Sequence, residues 1–140
     1  MSTLVKVLKP ANLQGEDGVQ NMHARVALRY VIASVACALF ALVYAQFSHG
    51  VQSPFMMFAF AIPLLGGALP ALGMHAAKAR PAPRVARQAW ALSLASLSVA
   101  SFLRGVFEIA GTNSPYLAVY VMAASVLAII AVVSLARSRA

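Results

Sequence analysis

The sequence predicts an all-α polytopic membrane protein, with four transmembrane helices arranged as two tandem hairpins and both termini cytoplasmic. Three observations predict it. Hydrophobic residues make up 61% of the chain and charged residues only 10%, against roughly a quarter charged in soluble domains. Four apolar runs approach the ~20 residues that a spanning helix needs. Finally, of the eleven Lys and Arg residues all but Arg104 flank those runs on one side, which the positive-inside rule assigns to the cytoplasm.

Residues 1–23 read as a cytoplasmic arm. LVKVLKP suits a membrane-surface element, and NLQGEDG reads as a turn with two acids, so an arm without fixed structure is expected. Residues 24–140 then form the four-helix domain. Span one covers residues 30–47. Its apolar stretch exceeds the ~7–15 residues of a secretory h-region, which favours an uncleaved anchor. Cys37, the single cysteine, lies between Ala36 and Ala38 and reads as a small packing residue.

Span two, residues 55–74, carries no charge but contains IPLLGGALPALG. Pro63 should kink it. Gly66 and Gly67 suit close helix packing, and a broken helix lining a binding site is the other use of such a run. Residues 75–89, HAAKARPAPRVARQA, form a basic cytoplasmic loop that Pro81 and Pro83 keep from being one helix. Anionic headgroups would attract it.

Span three covers residues 90–110. Ser93, Ser101 and Gly105 share a strip at helical spacing, widened by Ser96 and Ala100, so close packing against a neighbouring helix or a second subunit is expected. Span four covers residues 117–136. Trp90 and Tyr30 fall at the cytoplasmic interface and Tyr44, Tyr116 and Tyr120 at the opposite one.

The two connections away from the basic side are near copies. Residues 50–55 read GVQSPF and residues 111–116 read GTNSPY. Gly50 and Gly111 suit a left-handed helix end. Ser53 and Ser114 suit N-caps and Pro54 and Pro115 a first helical position. One such turn per hairpin implies a duplicated two-helix unit, a parallel internal repeat. Convergence of two short turns on Gly, Ser and Pro is the alternative.

Arg104 and Glu108 are charged residues inside a span, and such groups mark a candidate functional site. Their i, i+4 spacing allows them to pair. At ~1.5 Å per residue they lie about 21 and 27 Å along span three from Trp90, in the leaflet away from the basic side. One reading is a structural ion pair. The other is a polar pocket in which Tyr44, Gln46 and His49, at the end of span one, surround the pair.

Other chemistry has little to stand on. His23 and His75 belong to one side and His49 to the other, leaving no pair at one depth for a haem. No metal-ligand spacing, phosphate loop or nucleophile–base arrangement is present, so no cofactor and no enzymatic activity is expected. The net charge of +8 is topological information, and no base-reading groups suggest nucleic acid as a partner.

FSHGVQSPFMMFAFAIPLLGGALP, together with GVFEIAGTNSPYL, resembles a group of small four-span proteins encoded in bacterial genomes, to which no role is attached. The resemblance implies a bacterial cell-membrane protein and transfers no active site. The expected function is a non-enzymatic membrane subunit that assembles with itself or with a larger membrane complex. The alternatives are a minimal oligomeric transporter or channel working at Arg104 and Glu108, and a sensor of an extracellular ligand.

Overall fold

The computed structural model describes residues 11–47 and 53–140. Among the described residues the regular structure is all helical, and three of the helices are long and apolar enough to cross a membrane. Helix α1 spans Ala11–Phe47. It is followed by a broken segment made of α2 (Pro54–Met57), α3 (Ala61–Pro63), a π-helical turn at Leu64–Ala68 and α4 (Leu69–Ala76). Helices α5 (Arg84–Ile109) and α6 (Leu117–Arg139) complete the chain.

Helix α1 corrects the expected arm. The helix runs without interruption from Ala11, so NLQGEDG is helical rather than a turn. A glycine costs about 0.5–1 kcal/mol against alanine in a helix, too little to stop a run continued by Val19, Gln20 and Met22. Docking also holds this part of the helix. The buried His23 donates from Nε2 to the Ala79 carbonyl at 3.1 Å. His75 donates from Nδ1 to the Gln20 carbonyl, also at 3.1 Å.

The second segment differs most from expectation. Its continuous helical part, Ala61–Ala76, is shorter than the other three apolar helices, and at ~1.5 Å per residue it falls short of a ~30 Å hydrocarbon layer. The cause lies in its prolines. Pro63 has no N–H for the Ala59 carbonyl, which takes a tighter bond from Ile62 N–H instead. Pro70 likewise offers nothing to the Gly66 carbonyl, and the backbone before it widens into a π turn closed by Leu69 N–H on Leu64 O.

Exposed carbonyls in an apolar setting cost several kcal/mol each unless something satisfies them. Side chains from neighbouring helices serve three carbonyls of this segment, of which Phe60 O also accepts from Leu64 N–H. The Trp90 indole donates to Gly66 O at 2.8 Å. Ser101 donates to Phe55 O at 2.6 Å, and Ser34 to Phe60 O at 2.9 Å. The broken segment is therefore held open by donors on α1 and α5.

Both well-described helix ends that precede a turn are Schellman motifs. In α4, Lys78 takes a left-handed φ of 49° while Ala79 N–H reaches back to Met74 O. In α5, Gly111 has φ +65°, and Thr112 N–H reaches Phe107 O. The connection at the first of these is shorter than expected, since helix is present on both sides of residues 77–83. At the second, Ser114 does not cap α6 and Pro115 is not its first residue. The helix starts at Leu117 with Tyr116 as N-cap and no side-chain cap bond; the Leu117 N–H that a Ser114 cap would use donates to Ser114 O instead, and Ala118 N–H to Pro115 O.

The elements form a row rather than a closed bundle. The segment 54–76 packs between α1 and α5, and α6 packs on α5 alone among the described elements. Helices α1 and α5 meet only through long side chains, such as the edge-to-face pair Phe40 and Phe102 with ring centroids 5.0 Å apart. Two glycines bring the row together. A Cβ on Gly67 would stand 2.2 Å from the Tyr30 ring, and one on Gly105 would stand 2.9 Å from Met56 Cβ.

Candidate ligand cleft

Helix α5 carries Arg104 and Glu108 one turn apart near its C-terminal end. Among the described residues, the two do not form an ion pair. Glu108 accepts a short hydrogen bond at Oε2 from the Ser53 hydroxyl. The Arg104 guanidinium lies over the Phe55 ring, 4.5 Å from its centroid. Each charge has thus found its own partner on the residues that begin the broken segment. The physical reason is local: Gly105, between them in sequence, lets Met56 approach the α5 backbone and delivers Ser53 and Phe55 to this face.

Ser53 is the unexpected member. It occupies the N-cap position of α2, with Pro54 as the first helical residue, yet its hydroxyl makes no cap bond. The side chain is buried and turned to Glu108 instead. A bond to a carboxylate is worth more than one to a neutral backbone donor, so the acid outcompetes the cap. Sequence reasoning assigned Ser53 to the backbone, and no periodic signal linked it to Glu108.

Arg104 and Glu108 line a cleft of about 690 Å³ between the end of α5, the turn at residues 111–115 and the start of α6. Its remaining polar wall comes from Thr112, Asn113 and Ser114, and its apolar wall from Phe107, Val121 and Met122. Both charged side chains are exposed to this space. On the far side of Ser53 lies a second, almost wholly apolar cavity of about 270 Å³, lined by Tyr44, Met56 and Phe60 among others. Ser53 lines this cavity and its partner Glu108 lines the cleft.

The residues expected around the pair divide accordingly. Tyr44 belongs to the apolar cavity, not to the cleft. Gln46 is exposed on α1 and lines neither space. His49 and Gly50 lie outside the described residues. The residues of the packing strip are turned inward within the chain. Ser93 is buried and donates to Ala124 O at 2.7 Å, tying α5 to α6. Ala100 is buried, Ser96 half-buried, and Gly66 faces Leu94.

A guanidinium with donors to spare and a carboxylate, both opening on one polar space, can hold a solute that carries both charges. The size agrees, since small-molecule sites occupy about 300–1,000 Å³. Among the described residues, no three His, Cys, Asp or Glu side chains cluster to hold a metal ion. No family model matches the chain, and neither a curated protein nor a solved structure does.

Proposed function

We propose that this chain is a small integral protein of the cell membrane that binds, and passes across the bilayer, a small polar solute at the Arg104–Glu108 cleft. Its four apolar segments are embedded in the bilayer, with both termini cytoplasmic and the cleft opening at the opposite face. The observation that carries the reading is the separation of the two charges. A purely structural ion pair would close on itself, whereas here Arg104 and Glu108 each lean on a different residue and share an open cleft. The broken segment beside them fits this use, because discontinuous helices line binding sites in transporters.

The test is a thermal-shift screen of the purified protein with small zwitterionic solutes such as free amino acids. A solute that binds should raise the melting temperature of the wild type, by the equivalent of about 2.7 kcal/mol at a hundred times its dissociation constant. Glu108→Gln and Arg104→Gln should melt normally without solute and lose the shift. Variants that melt early and a wild type that responds to no solute would return the pair to a structural role.

A second reading, an assembling subunit, is favoured by α6. This helix packs on α5 alone among the described elements and leaves Val119, Met122, Val126 and Ile129 exposed along its length. Mass measurement in mild detergent decides it, because a monomer recovered without a stoichiometric partner removes the reading.

A further inference from the structure

Helices α4 and α6 flank α5 near its N-terminal end without touching each other. The furrow between them is an open groove of about 280 Å³, almost entirely apolar, with Met74 and Pro70 on one wall and Val132 and Leu135 on the other. Its floor is made of the buried alanines Ala86 and Ala131 together with Trp90. One charged side chain reaches it, Arg87.

Arg87 is poorly served by the protein. Among the described residues its hydrogen bond goes from Nη1 to the Met22 thioether sulfur, at 3.0 Å. A guanidinium has five donors, and a thioether is a weak acceptor. The surroundings add positive charge. Arg84 sits one turn before Arg87 on α5, and Arg139 one turn beyond Leu135 on α6, both exposed. An open apolar groove lined by a half-buried guanidinium with donors to spare has the charge and polarity of one molecule type.

We propose that this groove is a binding site for an anionic phospholipid, with an acyl chain between α4 and α6 and the headgroup phosphate on Arg87. The proposal rests on the membrane reading above but not on the solute cleft, which lies at the other end of α5. Phosphate suits the vacant donors because a guanidinium fork matches two of its oxygens at once. Trp90 fits the same level, since its ring lines the groove while its N–H is spent on Gly66. A protein helix would bring no phosphate to these donors.

Trp90 is the single tryptophan of the chain, so its fluorescence reads the groove directly. The protein is reconstituted into phosphatidylcholine vesicles containing a minor fraction of dibrominated phosphatidylglycerol or dibrominated phosphatidylcholine. Phosphatidylglycerol should quench Trp90 with an apparent affinity about fivefold higher, as expected for one basic contact near the surface. Arg87→Gln should bring that ratio close to one, while Arg29→Gln, on the exposed face of α1, should leave it unchanged. Equal quenching by the two lipids in the wild type overturns the site. Equal losses in the two variants also overturn it, because diffuse charge then explains the preference. Quenching by neither lipid overturns the site and the membrane reading together. Should Arg87→Gln fail to insert, Arg87→Lys keeps the charge without the fork, and the ratio should fall between the two. A lysine variant as selective as wild type removes the forked contact.

Discussion

Two stretches of this chain are apolar and carry no Asp, Glu, Lys or Arg, residues 54–76 and residues 117–136 of helix α6, yet they solve the same problem in opposite ways. Helix α6 runs as one uninterrupted helix and, among the described elements, touches only α5. The stretch 54–76 is broken into four pieces and borrows donors from Ser34, Trp90 and Ser101. Hydropathy measures what lipid tolerates and so treats the two alike. The difference lies in where Pro70 and the break ahead of Pro63 interrupt the backbone ladder. It teaches that a broken apolar segment is as much a property of its neighbours as of its own sequence. A self-contained helix tolerates losing a neighbour, and a borrowed-donor segment does not.

The comparison is open to direct attack. The largest effect is expected from Gly67→Ala, whose added Cβ meets the Tyr30 ring at 2.2 Å; overpacking of this kind costs up to about 3 kcal/mol. Unfolding in detergent should show the loss, while Gly73→Ala, with no atom within 4 Å of its added carbon, should stay within about 0.5 kcal/mol of wild type. If the two glycines respond alike, close packing does not set this segment.

Next comes Trp90→Phe, which strands the Gly66 carbonyl and should cost about 2 kcal/mol. Combined with Pro70→Ala, which returns a backbone donor to that carbonyl, the loss should shrink. An additive double mutant would show that the indole contributes packing only. Ser101→Ala should cost about 1 kcal/mol, the scale of hydrogen bonds between membrane helices. The smallest effect belongs to α6. Ser125 bonds back to Val121 O within its own helix, and Ser125→Ala should change melting by less than about 0.5 kcal/mol. A cost equal to that of Ser101→Ala would erase the contrast between the two stretches.

Much of the frame was legible from residues alone. The long apolar helices follow from run length, and the break near Pro63 from the missing N–H. The glycine at residue 111 was suited to a left-handed end, and that is where α5 turns. What escaped has a common cause, because partner choice is settled in three dimensions. The i, i+4 spacing of Arg104 and Glu108 permits a pair, but it says nothing of Ser53 and Phe55, which arrive from another segment and outbid each charge for the other. Trp90 read as an interfacial anchor, although its N–H serves Gly66. The helical start of α1 was hidden by glycines that local propensity counts against a helix, while the His23 and His75 bonds that dock it span more than fifty residues of sequence. Ser114 failed as a cap because the backbone ahead of α6 closes its own turns first.

The row-like layout bears on how such a chain is made. Every backbone contact between elements joins a piece of chain to the one that left the ribosome just before it, or to its near predecessor. Each element after α1 therefore meets a surface already in place, although the Gly66 and Phe55 carbonyls wait for Trp90 and Ser101 on α5, and local pairings of this sort assemble quickly. Helix α6, which runs uninterrupted and docks on one earlier partner among the described elements, would be the piece to supply as a separate polypeptide and still expect to see it dock.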